Sequence, residues 1–395
     1  MNKLLTGAAT LALTAGAAAA QDGPVKIGLL LGYTGPIESM VAEMAPAAEA
    51  AIAEVNAAGN FLGGREVTSE RADTACVDNA VATSAAERLI ADGVAGIIGG
   101  DCSGVTTAVL QNVAIPNGMI MISPSATSPA LSTVDDKDLF FRTAPSDARE
   151  GEIMAQDLLE RGIDSVAVTY TNNDFGKGLT DNFVRAFEEA GGTVTIEASH
   201  EDGRGDYSAE VGALASAGGD VLVVNGYADQ GGLGIIRGAL DSGAFDTFVL
   251  SNGMVSDSLT ANLGDAIDGS FGQLPGTDGA GADLFGPIGE AGGFNPVGAY
   301  APESYDAAAL FLLAMQAAGS ASPADYGPKI TEVANAPGEP ILPGELQKGL
   351  QILADGGDID YQGATGVELI GPGESAGRYR MVEVEGGEFQ TLGFK

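Results

Sequence analysis

From Val25 onward, short runs of consecutive apolar residues alternate with longer stretches whose apolar positions recur on one side, the pattern of a parallel sheet covered by helices. Val25 to Leu31 predicts a buried strand, broken by Gly32-Tyr-Thr-Gly-Pro36, and Met44 to Ala57 predicts an Ala-rich helix ending near Gly59. Val67 to Asp73 predicts a shorter strand, and Ala80 to Ala91 a helix with Ala85, Leu89 and Ile90 on one side. Near Phe140 to Asp147 this unit ends, and a fresh cycle follows a helix from Arg149 to Arg161. The second cycle reads strand 164–170, turn 172–178, helix 179–190, strand 193–198, helix 207–217, strand 220–225, helix 232–242 and strand 247–250. A helix from Ser304 to Ala318, a turn-rich crossing at 356–366 and a terminal hairpin turning at Gly386-Gly387 complete the chain. The fold class is therefore α/β, with two Rossmann-like units in succession, each opening strand, glycine turn, helix.

Two strands carry the first hint of chemistry. Val94 to Gly104 and Met119 to Pro129 each end in a small polar turn, Gly-Asp-Cys-Ser-Gly and Ser-Pro-Ser-Ala-Thr-Ser-Pro. In a parallel sheet, ligands sit outside the carboxyl ends of strands, where backbone N–H groups and hydroxyls converge. Two such turns, rich in Ser, Thr and Gly, suit a small anion such as a carboxylate. A helix starting after Ser103 would add free N–H groups and the positive end of its dipole.

The N-terminus points to export. A basic start at Met1-Asn-Lys3, an apolar run to Leu13 and small residues up to Ala20 have the order of a signal peptide at 1–20, cut after Ala20. That leaves about 375 residues, a length that fits two domains. The expected compartment is the periplasm, and a chain free in it is expected to be monomeric. Only Cys76 and Cys102 are present, and an exported pair usually joins in a disulfide, with two free thiols as the alternative. The loop they would close is worth ~3.5 kcal/mol by chain entropy. The net charge of -36 repels phosphate backbones and anionic lipids, which disfavours nucleic-acid and membrane-surface binding. The acidic excess reads as a solvated surface, or else as attraction for calcium or a cationic partner.

Catalysis is poorly supported. His200 is the only histidine, and its setting in Glu197-Ala-Ser-His-Glu-Asp-Gly203 predicts an exposed turn residue, so neither a nucleophile's base nor a metal site is expected. Gly100-Asp-Cys-Ser-Gly104 has Cys at the centre of what would be a nucleophile elbow, and Phe175-Gly-Lys-Gly178 lacks the frame of a phosphate loop. No cofactor is expected, and the chain reads as a non-enzyme.

Several motifs then fall into a familiar order. Gly35-Pro36, Asp73-Thr-Ala-Cys76, Gly100-Asp-Cys-Ser103, Met121-Ile-Ser-Pro-Ser-Ala-Thr127, Asp174-Phe-Gly-Lys-Gly-Leu179, Asn225-Gly-Tyr227 and Ser304-Tyr-Asp306 together resemble the periplasmic Leu/Ile/Val-binding proteins of ABC importers. The resemblance runs from Val25 to the end. It implies a type I periplasmic binding protein, two lobes joined by three crossings, with residues 21–144 and 277–358 in one lobe and 145–276 and 359–395 in the other. It also implies the Cys76–Cys102 disulfide. Ser103 and Thr127 would hold a ligand carboxylate, and Ser125 would offer its carbonyl to an ammonium. Phe175 and Tyr227 would close over the ligand from the second lobe, with Tyr33 and Met40 as further lining candidates. The bland readings are a proline-turn cap for Ser125 and Thr127, core for Phe175 and turn packing for Tyr227. The family's ammonium-neutralising Glu is replaced by Asn252. Because an unpaired buried ammonium is costly, the resemblance leaves two options: Asp101 substitutes, or the ligand lacks an amine. Asp101 is otherwise a solvated turn residue. The implied function is capture of a small amino acid or related carboxylate or amide for an ABC permease. The rivals are a ligand sensor of the same fold and, less favoured, an exported hydrolase.

Overall fold

Strand β1 (Val25–Leu31) is buried along nearly its whole length, as a strand flanked on both sides and covered on both faces must be. In the computed structural model, which describes residues 23–395, it lies between β2 (Val67–Asp73) and β3 (Gly96–Gly99), all parallel. β4 (Met121–Ser123) and β5 (Phe140–Arg142) continue the sheet in the order β2-β1-β3-β4-β5. The next strands repeat this arrangement. β6 (Ser165–Thr171), β7 (Thr193–His200), β8 (Val221–Asn225), β9 (Phe248–Leu250) and β10 (Phe271–Pro275) pair in the order β7-β6-β8-β9-β10. The signal peptide expected at 1–20 lies outside the described residues.

Helices cover both sheets, and the two α/β units are the two lobes the sequence predicts. Leu29, Leu30 and Leu31 are fully buried, each contributing about 1.5–3 kcal/mol of apolar transfer. The edge strand β7 instead alternates exposed and half-buried positions, presenting one face to water.

The chain passes between the lobes three times. It leaves the first sheet after β5, through Ala144-Pro-Ser146 into the helix Asp147–Glu160. It returns after β10 into the helix Ala280–Gly292, where Phe285 packs on Tyr305 of the first lobe, ring centres 5.2 Å apart. The last segment differs from the sequence expectation. The turn-rich stretch at 356–366 is no crossing: β11 (Glu339–Ile341) pairs with β12 (Ile359–Tyr361) inside the first lobe. Buried Asp306 holds it there, accepting from the Tyr361 hydroxyl at 2.7 Å, Ala364 N at 2.8 Å and Thr365 N at 2.9 Å. β13 (Leu369–Ile370) and β14 (Glu374–Ser375) then extend the first sheet beyond β5. The final passage therefore falls near Gly377 rather than at residue 359, so residues 359–375 belong to the first lobe. Gly377 has φ +62°, and a Cβ there would meet Pro145 Cβ at 2.4 Å, so glycine lets two crossings pack together. β15 (Tyr379–Glu385) and β16 (Glu388–Phe394) finish the second sheet as the expected hairpin.

Two further local expectations change. Residues 172–178 are not all turn, because the helix Asp174–Glu189 starts there. The Asn173 side chain caps it by accepting from Gly176 N at 3.0 Å, which offsets the poor helix propensity of Gly176 and Gly178. Gly176 is also needed sterically, since a Cβ would lie 2.2 Å from the Thr171 carbonyl oxygen. His200 is not an exposed turn residue. It ends β7 with 1% exposure and its Nδ1 lies 2.9 Å from the Thr169 hydroxyl, while burial pushes its pKa down to about 4. It is thus neutral at physiological pH.

Candidate functional site

With the strand order shared by both lobes, the carboxyl ends of β1, β3 and β4 face those of β6, β8 and β9 across the cleft. The residues that follow these strands enclose a small cavity. Ile37, Met40 and Met44 come from the helix region after β1, Asp101 to Ser103 follow β3, and Ser125 follows β4. Phe175 follows β6, Tyr227 follows β8, Asn252 and Gly253 follow β9, and Tyr300 completes the wall. The lobes are in contact around it. Ser39 N donates to Asp229 at 2.9 Å, the Ser39 and Ser256 hydroxyls lie 3.0 Å apart, and Asn295 donates to Asp257 at 3.0 Å. The broad depression beside Tyr207 and Leu233 opens outward and belongs to one lobe alone.

The two polar turns are tied together. The Ser123 hydroxyl donates to the Gly100 carbonyl and accepts from Ala126 N at 2.9 Å. Ser125 Oγ donates to the Asp101 carbonyl at 3.1 Å, and Ser128 N donates to Ser103 Oγ at 3.1 Å. That last bond uses a lone pair of Ser103 and leaves its hydroxyl hydrogen to donate. The helix beginning at Ser103 has Cys102 as its cap, bonded to Cys76 in a disulfide that spans 26 positions. Replacing both cysteines by serine is expected to cost about 2–4 kcal/mol of stability, read as a lower urea midpoint. Ligand affinity should fall as well, because the cap of the Ser103 turn is loosened. A double mutant with unchanged midpoint and affinity would show that the bridge does not hold this turn.

Asp101 departs from its sequence reading. It is buried rather than solvated, and it accepts from Gly32 N, from the Thr74 hydroxyl at 3.0 Å and from Cys102 N at 2.9 Å. Burial raises its pKa while those three bonds oppose the rise. Its carboxylate thus cross-links the ends of β1, β2 and β3, and little of it is left to meet an ammonium. Thr127 does not line the cavity; its carbonyl accepts from Asp147 N at 2.9 Å. Tyr33 is half-buried beside the core, its ring 5.5 Å from the Arg71 guanidinium, and is not part of the wall. Met40, Ser103, Ser125, Phe175, Tyr227 and Asn252 are brought together.

Phe175 and Tyr227 stack with ring centres 5.2 Å apart and an interplanar angle of 20°. Asn173 donates to the Tyr227 hydroxyl at 3.4 Å, linking the helix cap to this pair. Gly253 makes room for them: a Cβ there would meet Gly226 O at 2.4 Å and the Phe175 ring at 3.2 Å.

Behind the wall lie residues that sequence reasoning missed. Buried Arg142 donates to the Ala126 and Ser128 carbonyls at 3.0 Å and to Ser132 Oγ at 2.7 Å, and pairs with Glu374. It fixes the path of the second turn. Asp147 and Glu150, both fully buried, meet Asn252 from the helix after the first crossing. Acids in a helix's first turn are common on any protein, so nothing in the sequence singled them out. Tyr300 sits at φ +61° in a long connection with no periodic signal.

The site is thus apolar on one side, with Ile37, Met40, Met44 and the aromatic pair, and hydrogen-bonding on the other. It suits a small amphipathic molecule with an anionic end. Among the described residues no helix is long and apolar enough to cross a membrane.

Comparison with known proteins gives a consistent picture. Residues 24–340 match the family model described as "Periplasmic binding protein". The chain is 32% identical over 371 residues to Leu/Ile/Val-binding protein homolog 1 of Brucella abortus, covering 89% of this chain and 97% of that one. Among solved structures, a leucine binding protein, LivK, of Thermotoga maritima superposes with a TM-score of 0.79 at 23% identity, over 94% of this chain and 98% of that one. A solute binding protein of R. palustris, solved with benzoate, gives 0.76 at 18% identity, over 94% and 96% of the two chains.

Proposed function

Since the chain belongs to the periplasmic binding protein family, a family of extracytoplasmic solute-binding proteins rather than enzymes, we propose that its cleft captures an aliphatic amino acid. The single observation that carries this reading is the two-sided cavity between the lobes. In this reading the ligand carboxylate meets the Ser103 hydroxyl and the free N–H groups at the start of its helix, where the dipole favours negative charge. Ser125 borders the same end. The aliphatic side chain lies among Ile37, Met40 and Met44 under the Phe175–Tyr227 stack. The likeness to Leu/Ile/Val-binding protein homolog 1 of Brucella abortus supports the same class.

Closure does the work of selection. A ligand touching both lobes favours the closed arrangement, which also brings Ser39 to Asp229 and Asn295 to Asp257. The closed protein, acting as a monomer in the periplasm after removal of residues 1–20, delivers its ligand to an ABC permease.

Thermal unfolding with L-leucine, L-isoleucine, L-valine and benzoate tests this. A ligand at 100 times its Kd stabilises by about 2.7 kcal/mol, so an aliphatic amino acid should raise the midpoint. Ser103→Ala is expected to weaken that ligand about 10-fold while leaving the unliganded midpoint close to wild type. A shift with benzoate alone, or unchanged affinity in Ser103→Ala, contradicts the assignment.

A further inference from the structure

We infer that Asp147 and Glu150, acting through the Asn252 side chain, form the recognition site for the ammonium group of the ligand. The inference rests on the reading of the cleft as an amino-acid site and adds the residues that make it selective for an amine. Asn252 Nδ2 donates to Asp147 Oδ1 at 3.0 Å and to Glu150 Oε2, and its backbone N donates to Glu150 Oε1 at 3.0 Å. Gln273 also donates to Glu150 Oε1, at 3.0 Å. With both amide hydrogens directed to carboxyls, the carbonyl oxygen of Asn252 is turned the other way. Asn252 is itself part of the cavity wall, so that oxygen is the acceptor it presents there. The carboxyls polarise it and place their negative charge one residue behind the wall. Asn252 thereby does indirectly what a carboxylate on the wall would do directly.

A second observation points to a cationic visitor. Asp147 Oδ2 and the Tyr300 hydroxyl are both buried with no hydrogen-bond partner among the described residues, and Tyr300 lines the same cavity. An unpaired carboxylate oxygen behind the wall costs free energy that a positive charge at the wall would offset.

The groups facing the acid pair are Asn252, Gln273, Thr127, Tyr300, Tyr379 and the cation Arg142. Arg142 is already paired with Glu374. Burial lifts both acids, Glu150 to about 7 and Asp147 well above the usual carboxylate range, and the Asp147 rise is increased by the Glu150 charge. Because the Glu150 charge raises Asp147, the pair is not doubly ionised near neutral pH. An ammonium favours their ionised form, and binding should therefore release protons. The sign follows: affinity for an amine rises as pH increases through about 7, whereas affinity for the same ligand without its amine does not.

Calorimetric titration of the mature protein with L-leucine and with 4-methylpentanoate, its deaminated analogue, tests this in phosphate and in Tris at pH 7. Wild type should prefer leucine by about 30-fold and show a buffer-dependent heat from proton release with leucine alone. Glu150→Gln should reduce the preference to about 3-fold or less and remove the buffer dependence, with 4-methylpentanoate bound as before. Asp147→Asn serves as the second variant if Glu150→Gln does not fold, with the same expected outcome. A preference that survives in the folded variant, or leucine binding without proton release in wild type, overturns the inference. If neither compound binds wild type, the amino-acid reading itself is wrong, and the inference falls with it.

Discussion

Arg142→Ala is expected to destabilise the protein by about 3–5 kcal/mol and to remove ligand capture with it. The guanidinium is 1% exposed and faces Glu374, whose side chain is 14% exposed. It also satisfies the Ala126 and Ser128 carbonyls, which flank Thr127 in the second polar turn. Truncation strands a mostly buried carboxylate and removes the donor that sets the turn's path. Because β14 joins the first sheet beside β5 at this pair, the last interlobe crossing should loosen as well. Arg142→Lys keeps the charge but cannot form the same fork of donors, so it should recover only part of the loss. Urea unfolding measures this directly. A midpoint for Arg142→Ala corresponding to less than about 1 kcal/mol of loss would mean that the turn is held by its own backbone.

Phe175→Ala is expected to weaken the best ligand about 100-fold, equivalent to the ~3 kcal/mol typical of a buried Phe truncated to Ala. The ring is 3% exposed in the closed arrangement and stacks on Tyr227. It lines a cavity between lobes, so much of its burial is completed when the lobes meet. The loss should therefore fall mainly on affinity, through faster release, and less on the stability of the unliganded protein. Phe175→Tyr, which preserves the stack, should bind within about 3-fold of wild type. Normal affinity in Phe175→Ala, with a large loss of unliganded stability, would make Phe175 core and not lid.

The sequence was most readable where burial and period coincide. β1 and β2 have the bounds that their apolar runs predict, and the terminal hairpin turns where Gly386-Gly387 places it. Legibility failed where a distant contact overrides local preference. Residues 356–366 read as a crossing because they are rich in glycine, yet Asp306, some fifty positions earlier, pins them to the first lobe. The start of the Asp174–Glu189 helix was hidden by Gly176 and Gly178, which are there to let the helix approach its neighbours. His200 looked exposed because polar residues surround it, although the strand carries it inward.

The site divides in the same way. Ser103, Ser125, Phe175 and Tyr227 lie directly after strands, where the fold directs side chains into the cleft, and the motifs marked them. Asp101 was one option for meeting a ligand amine, but its neighbours Gly32, Thr74 and Cys102 claim its carboxylate. Asp147, Glu150 and Arg142 act from behind the wall. Their significance lies in contacts across 102 to 232 positions of chain, which no local pattern records.

The most direct test of amino-acid capture between the lobes is calorimetric titration of wild type and Phe175→Ala with L-leucine. One site per chain in wild type and an affinity lower by about 100-fold in Phe175→Ala is the predicted result. Absence of leucine binding to wild type, or equal affinity in the two proteins, would contradict it.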